Sequence, residues 1–61
     1  MKKVNLKLEG LDGNAFALLG AFRKQARKEG WIDEEINKVS QDARNGEYDN
    51  LLRVLMEYTN Y

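Results

Sequence analysis

The hydrophobic rhythm of the chain changes once, near its start. Val4, Leu6 and Leu8 alternate with Lys3, Asn5, Lys7 and Glu9. That period of two predicts a half-buried β-strand over residues 3–9. From Ala15 the period becomes helical. Ala15, Leu18, Leu19, Phe22 and Ala26 fall at i, i+3, i+4, i+7 and i+11, one stripe of a helix over residues 14–29, with Phe16 and Gly20 flanking it. Ile36, Val39, Ser40 and Ala43 give a narrower inner face to a second helix over 33–44. Tyr48, Leu51, Leu52, Leu55 and Tyr58 give an apolar face to a third over 47–58, widened by Val54 and Met56.

The breaks between these runs carry their own signals. Gly10-Leu11-Asp12-Gly13-Asn14 is the turn out of the strand. Gly10 and Gly13 tolerate positive φ, Asp12-Gly13 is a turn dipeptide, and Asn14 (or Asp12) suits an N-cap. Gly30 stops the first helix as a C′ residue. Asp33 is expected to cap the second helix, with Glu34 and Glu35 favourable in its first turn. Arg44-Asn45-Gly46 stops it.

The predicted fold is therefore mainly α with one N-terminal β-strand, in the order β-α-α-α, as a single small domain over 1–61. A lone strand leaves a ladder of N–H and C=O groups without partners. The remedy expected here is pairing with the same strand of a second copy across a two-fold axis. Addition of a partner protein's strand is the alternative.

Composition reinforces the expectation of self-association. The chain has 61 residues, with neither cysteine nor histidine. A domain of this size buries only about 60% of its unfolded surface. Disulfides, thiolate metal sites and the commonest zinc ligands are unavailable to supplement it. A homodimer or higher oligomer is the remaining source of burial. No apolar run is long enough for a membrane span, and Met1-Lys2-Lys3-Val4-Asn5-Leu6-Lys7 is too polar to open a signal peptide, so a cytoplasmic protein without a membrane partner is expected.

Net charge is zero but unevenly distributed. Residues 1–30 carry seven Lys and Arg against three acids, a net +4; residues 31–61 carry three against seven, a net −4. Nucleic-acid binders are normally basic overall, so nucleic acid is not an expected partner. Helix–turn–helix recognition through Gly30 is disfavoured for a second reason. The second helix would lead into the groove with Asp33, Glu34 and Glu35, which phosphates repel. The charge split is explained more simply by the two halves pairing with each other.

No catalytic constellation is present, because histidine and cysteine are both missing, and the acidic run is accounted for by helix capping. The chain is read as a non-enzyme that needs no cofactor and no metal. The candidate binding residues are Asp12, Gly13, Asn14, Arg23, Arg27, Trp31 and Tyr58. The turn at Gly13 and Asn14 offers N–H groups and a positive helix end to phosphate or ribose, and Asp12 can accept from a ribose or base. Arg23 and Arg27 can clamp phosphate, while Trp31, Tyr58 and Tyr61 can stack on bases. The alternative is a well-made turn with Trp31 in the core.

A resemblance adds a setting. Leu8-Glu9-Gly10-Leu11-Asp12-Gly13-Asn14-Ala15-Phe16, Gly20-Ala21-Phe22, Gln25-Ala26-Arg27, Gly30-Trp31, Glu34-Glu35-Ile36 and Gly46-Glu47-Tyr48-Asp49-Asn50-Leu51-Leu52 together resemble a family of short uncharacterised proteins of phages and bacteria. The resemblance implies a phage-encoded protein in the host cytoplasm that counters host defence. One expected route is sequestration of a small anionic ligand, a nucleotide immune signal, in a pocket between subunits. The alternative is a protein-binding inhibitor of a host defence protein, and a small DNA-binding regulator comes third.

Overall fold

The computed structural model describes residues 2–60. Met1 and Tyr61, which close the domain range and supply one of the stacking candidates, lie outside the described residues. Three helices organise the rest: α1 (Ala15–Lys28), α2 (Asp33–Arg44) and α3 (Tyr48–Glu57). No β-strand occurs among the described residues, so the mainly α reading holds and the N-terminal strand, with its pairing between subunits, does not.

The entry to α1 follows its sequence closely. Leu11 donates to the Leu8 carbonyl across a turn whose third residue, Gly10, has φ +88°. A side chain there would be strained. Asp12 Oδ1 accepts from the Asn14 N–H, and Asn14 Oδ1 accepts from the Phe16 N–H at 2.8 Å, so Asn14 is the N-cap. Gly13, by contrast, does not use the positive-φ region.

At the other end, Gly30 (φ +92°) donates to the Arg27 carbonyl and Trp31 to the Ala26 carbonyl. This pair of bonds is the Schellman arrangement, which satisfies the last free carbonyls of a helix. It also reverses the chain so that Trp31 drops into the core. Ile32, rather than Asp33, is the N-cap of α2. Its N–H is bonded by Glu35 Oε1 reaching back from the first turn, and Asp33 is already helical.

Each helix gives one stripe to a shared core. Leu18, Leu19, Phe22 and Ala26 come from α1, Ile36, Val39 and Ala43 from α2, and Leu51, Val54 and Leu55 from α3, with Trp31 between α1 and α2. Phe22 and Trp31 meet edge-on with ring centroids 5.6 Å apart, a geometry adding about 0.5–1.5 kcal/mol to area burial. One buried polar group is used in this packing. Ser40 Oγ donates to the Ile36 carbonyl and accepts from Arg23 Nη1 at 2.9 Å, tying α1 to α2.

The N-terminal segment takes the place of the missing strand as an extended strap. Val4 is buried, and Leu6 and Leu8 pack against the core from half-buried positions, while Lys3, Asn5, Lys7 and Glu9 stay exposed. The alternation therefore reported correctly which side chains face inward. It did not report a ladder. The Leu6 N–H bonds the Val4 carbonyl, a tight bend at Asn5 that spends donor and acceptor locally. Val4 donates to the Tyr58 carbonyl, and Leu6 accepts from the Asn60 N–H. Asn5 N–H donates to Glu29 Oε2 at 2.7 Å, and Lys2 Nζ bonds Glu35 while standing 4.7 Å from the centre of the Trp31 ring. The N–H groups of Val4, Asn5 and Leu6 thus find their partners within one chain.

The two halves of the chain do pair electrostatically. Lys2–Glu35 and Arg27–Asp33 both cross from the basic to the acidic half. Exposed pairs of this kind contribute about 0–1 kcal/mol each, so they orient rather than hold the fold.

Candidate functional site

The basic face of α1 is the part of the surface best suited to an anion. Counting from Gly20, positions i+3, i+4, i+7 and i+8 lie on one side of a helix. Arg23, Lys24, Arg27 and Lys28 occupy them and border a shallow groove of about 540 Å³. Gly20 forms the opening, since a Cβ built there would meet nothing within 4 Å. Arg23 is half-buried and held along one edge by Ser40 Oγ and by Asn37 Oδ1 at 3.2 Å. A guanidinium has five N–H donors, so others remain available in a fixed orientation. Arg27 reaches Asp33 at 3.4 Å, a long contact in an exposed place. Lys24 and Lys28 make no ion pair among the described residues. The helix dipole opposes an anion at this end by about half a charge. Four cationic side chains outweigh it.

The turn lies elsewhere. Its side-chain acceptors are engaged locally, Asp12 with Asn14 and Asn14 with Phe16. The Gly13 carbonyl accepts from the Tyr48 hydroxyl, latching the turn to the start of α3. Nine residues of helix separate Asn14 from Arg23, about 14 Å at 1.5 Å per residue. Within one chain, the turn and the basic face are therefore separate places on the surface.

Trp31 and Tyr58 form a third group. Trp31 is only 6% exposed, with Phe22 on one side and the Tyr58 ring edge-on at 6.2 Å on another. Its faces are committed to the core and to Lys2. Tyr58 is half-buried. The seven residues singled out from sequence thus fall into three places: Asp12, Gly13 and Asn14 in the turn, Arg23 and Arg27 on the basic face, Trp31 and Tyr58 at the core. Lys24, Lys28 and Gly20 belong with the arginines, and the helical spacing from Gly20 was the signal for them.

A second surface was not singled out at all. Ala15, Phe16, Leu19, Ala43, Arg44, Gly46, Glu47, Tyr48 and Leu51 line a mainly apolar cleft of about 270 Å³ where α1 and the start of α3 meet. Phe16, at its edge, is 82% exposed. In the sequence it stands only one position outside the α1 stripe, which conceals how fully it projects.

Among the described residues, no three His, Cys, Asp or Glu side chains gather where they could hold a metal ion. The acidic first turn of α2 is occupied instead by the Arg27, Lys2 and Ile32 contacts already described. No helix among the described residues is long and apolar enough to cross a membrane. No family model matches the chain, and no curated protein or solved structure is significantly similar to it.

Proposed function

We propose that this chain is a non-enzymatic binding protein of phage type that sequesters a small anionic ligand, with a nucleotide signal as the favoured class. The observation that supports this reading is the Gly20 groove, where four cations surround an opening with no side chain in it. Arg23 and Arg27 act as the phosphate contacts, Lys24 and Lys28 supply further charge, and the uncovered helix at Gly20 admits the flat part of the ligand. The family resemblance supports the setting of anti-defence in a host cytoplasm. Stacking on Trp31 is no part of the proposal, because the ring is enclosed.

A second reading is an inhibitor that grips an acidic surface of a host defence protein. It is favoured by the groove's shallowness and by cations spread over two helical turns, a shape that also suits a flat partner.

Thermal unfolding in the presence of linear and cyclic nucleotides tests the first reading. At a ligand concentration of 100 Kd, binding adds about 2.7 kcal/mol, a rise in Tm of roughly 10 °C or more for a domain this small. The rise should shrink with added salt and vanish in a Lys24→Gln, Lys28→Gln double variant that circular dichroism shows to be folded. If no nucleotide moves the melting temperature, the ligand reading fails. Co-purification of a host protein that the same double variant releases would then carry the inhibitor reading.

A further inference from the structure

We infer that two copies of this chain associate through the Phe16 cleft about a two-fold axis, each Phe16 ring seated in the cleft of the other copy.

Phe16 stands in the first turn of α1, where its neighbours Leu18 and Leu19 are buried, yet 82% of its surface is exposed. Among the described residues, the other large exposed apolar side chains are Leu11, Ile32, Tyr48 and Met56. Leu11 belongs to the turn that leads to Phe16, and Tyr48 is the residue that latches that turn. Three of the five are therefore concentrated around the start of α1. An aromatic side chain can bury about 150–250 Å², and Phe16 buries little of that within its own chain.

The cleft beside it has a volume of about 270 Å³, with walls from Leu19, Ala43 and Leu51. Projection and recess thus lie on one face of one chain. An isologous interface requires this, because every patch must fit a rotated copy of itself. A foreign partner would need only one of the two.

Charge supports the same occupant. Arg44 and Glu47 both line the cleft, and neither makes an ion pair among the described residues. A two-fold axis passing between Arg44 and Glu47 would set each Arg44 against the other copy's Glu47, giving two equivalent pairs at the rim. The chain is neutral overall, so copies do not repel at long range. The basic face of α1 begins at Arg23, about 10 Å along the helix from Phe16. That distance exceeds the Debye length of about 8 Å at physiological ionic strength.

Sedimentation equilibrium on the full chain tests the arrangement. The wild type should dimerise at micromolar concentration. Phe16→Glu should raise the dimer Kd by roughly 30-fold or more, as loss of an interface hot spot does. An acid in the first turn of α1 suits the helix dipole, so circular dichroism should show this variant folded. Arg44→Glu and Glu47→Arg should each weaken the homodimer, and mixing the two should restore a heterodimer, because one then presents only acids and the other only bases. A wild-type chain that stays monomeric up to about 1 mM, a Phe16→Glu variant that dimerises like wild type, or single charge variants that do not pair when mixed would each overturn the proposal.

Discussion

The Val4 N–H donates to the Tyr58 carbonyl oxygen at 2.8 Å, joining the first buried residue among those described to the C-cap of α3. The bond satisfies two needs together. A helix end leaves carbonyls without intrahelical partners, and an isolated extended segment leaves N–H groups in the same condition. Asn60, donating to the Leu6 carbonyl just beyond it, repeats the solution in the opposite sense. The two ends of the described chain are thereby tied to each other beside the core.

Val4→Ala tests how much the strap contributes to stability. The side chain is 1% exposed, and its removal leaves a small cavity while the backbone bonds can persist. We expect a loss of about 2 kcal/mol, seen as a fall in Tm of roughly 10 °C for a domain of this size. An unchanged melting temperature would mean that the strap is not docked in solution.

Acid should loosen the same strap. Hydrogen bonding by the Gln25 side chain, and secondarily by the Asn5 N–H, holds the Glu29 carboxyl below its ordinary value of 4.5. For Glu35 the lowering comes first from Lys2, then from the Ile32 N–H. Both carboxylates therefore bind protons more weakly in the folded chain than in the unfolded one. Their contribution is complete above the unfolded value and is lost as pH falls through the lowered folded values. Glu29→Gln and Glu35→Gln should each flatten the acid limb of the stability profile as pH falls below the ordinary carboxyl value of 4.5. Chemical denaturation across that range is the measurement, and identical acid limbs would refute the assignment.

Two glycines should respond oppositely to alanine. Gly20 is inside α1 with open space around it, so Gly20→Ala should gain about 1 kcal/mol from helix propensity. Gly30 holds φ +92° at the end of the same helix, and Gly30→Ala should lose about 1–2 kcal/mol to backbone strain although space is equally open. Paired thermal melts decide this. A stabilised Gly30→Ala would show that the Schellman turn does not form.

Much of the helical architecture was legible residue by residue. The 3.6-residue period identified Leu18, Leu19, Phe22 and Ala26 on α1 and Ile36, Val39, Ser40 and Ala43 on α2, and all eight are buried. Asn14 and Gly30 marked their helix ends because cap chemistry is local. The candidate site was less legible. Arg23 and Arg27 share a face, and Arg23 stands about 14 Å from Asn14, because helical spacing places them there, but the enclosure of Trp31 depends on how the helices fold back.

By itself, the sequence determined the helical periodicities and the inward-facing side of the N-terminal segment, α1 and α2, because these depend on neighbours a few residues away; on α3 the core side is Leu51, Val54 and Leu55, with Tyr48 exposed. Only the tertiary structure decided what the Val4, Leu6 and Leu8 alternation packs against. A period of two states which side chains point inward, and an extended strap over helices has the same period as a strand in a sheet. The partners of its backbone, Tyr58, Asn60 and Glu29, lie 24 or more residues away in the chain, where no local pattern can announce them.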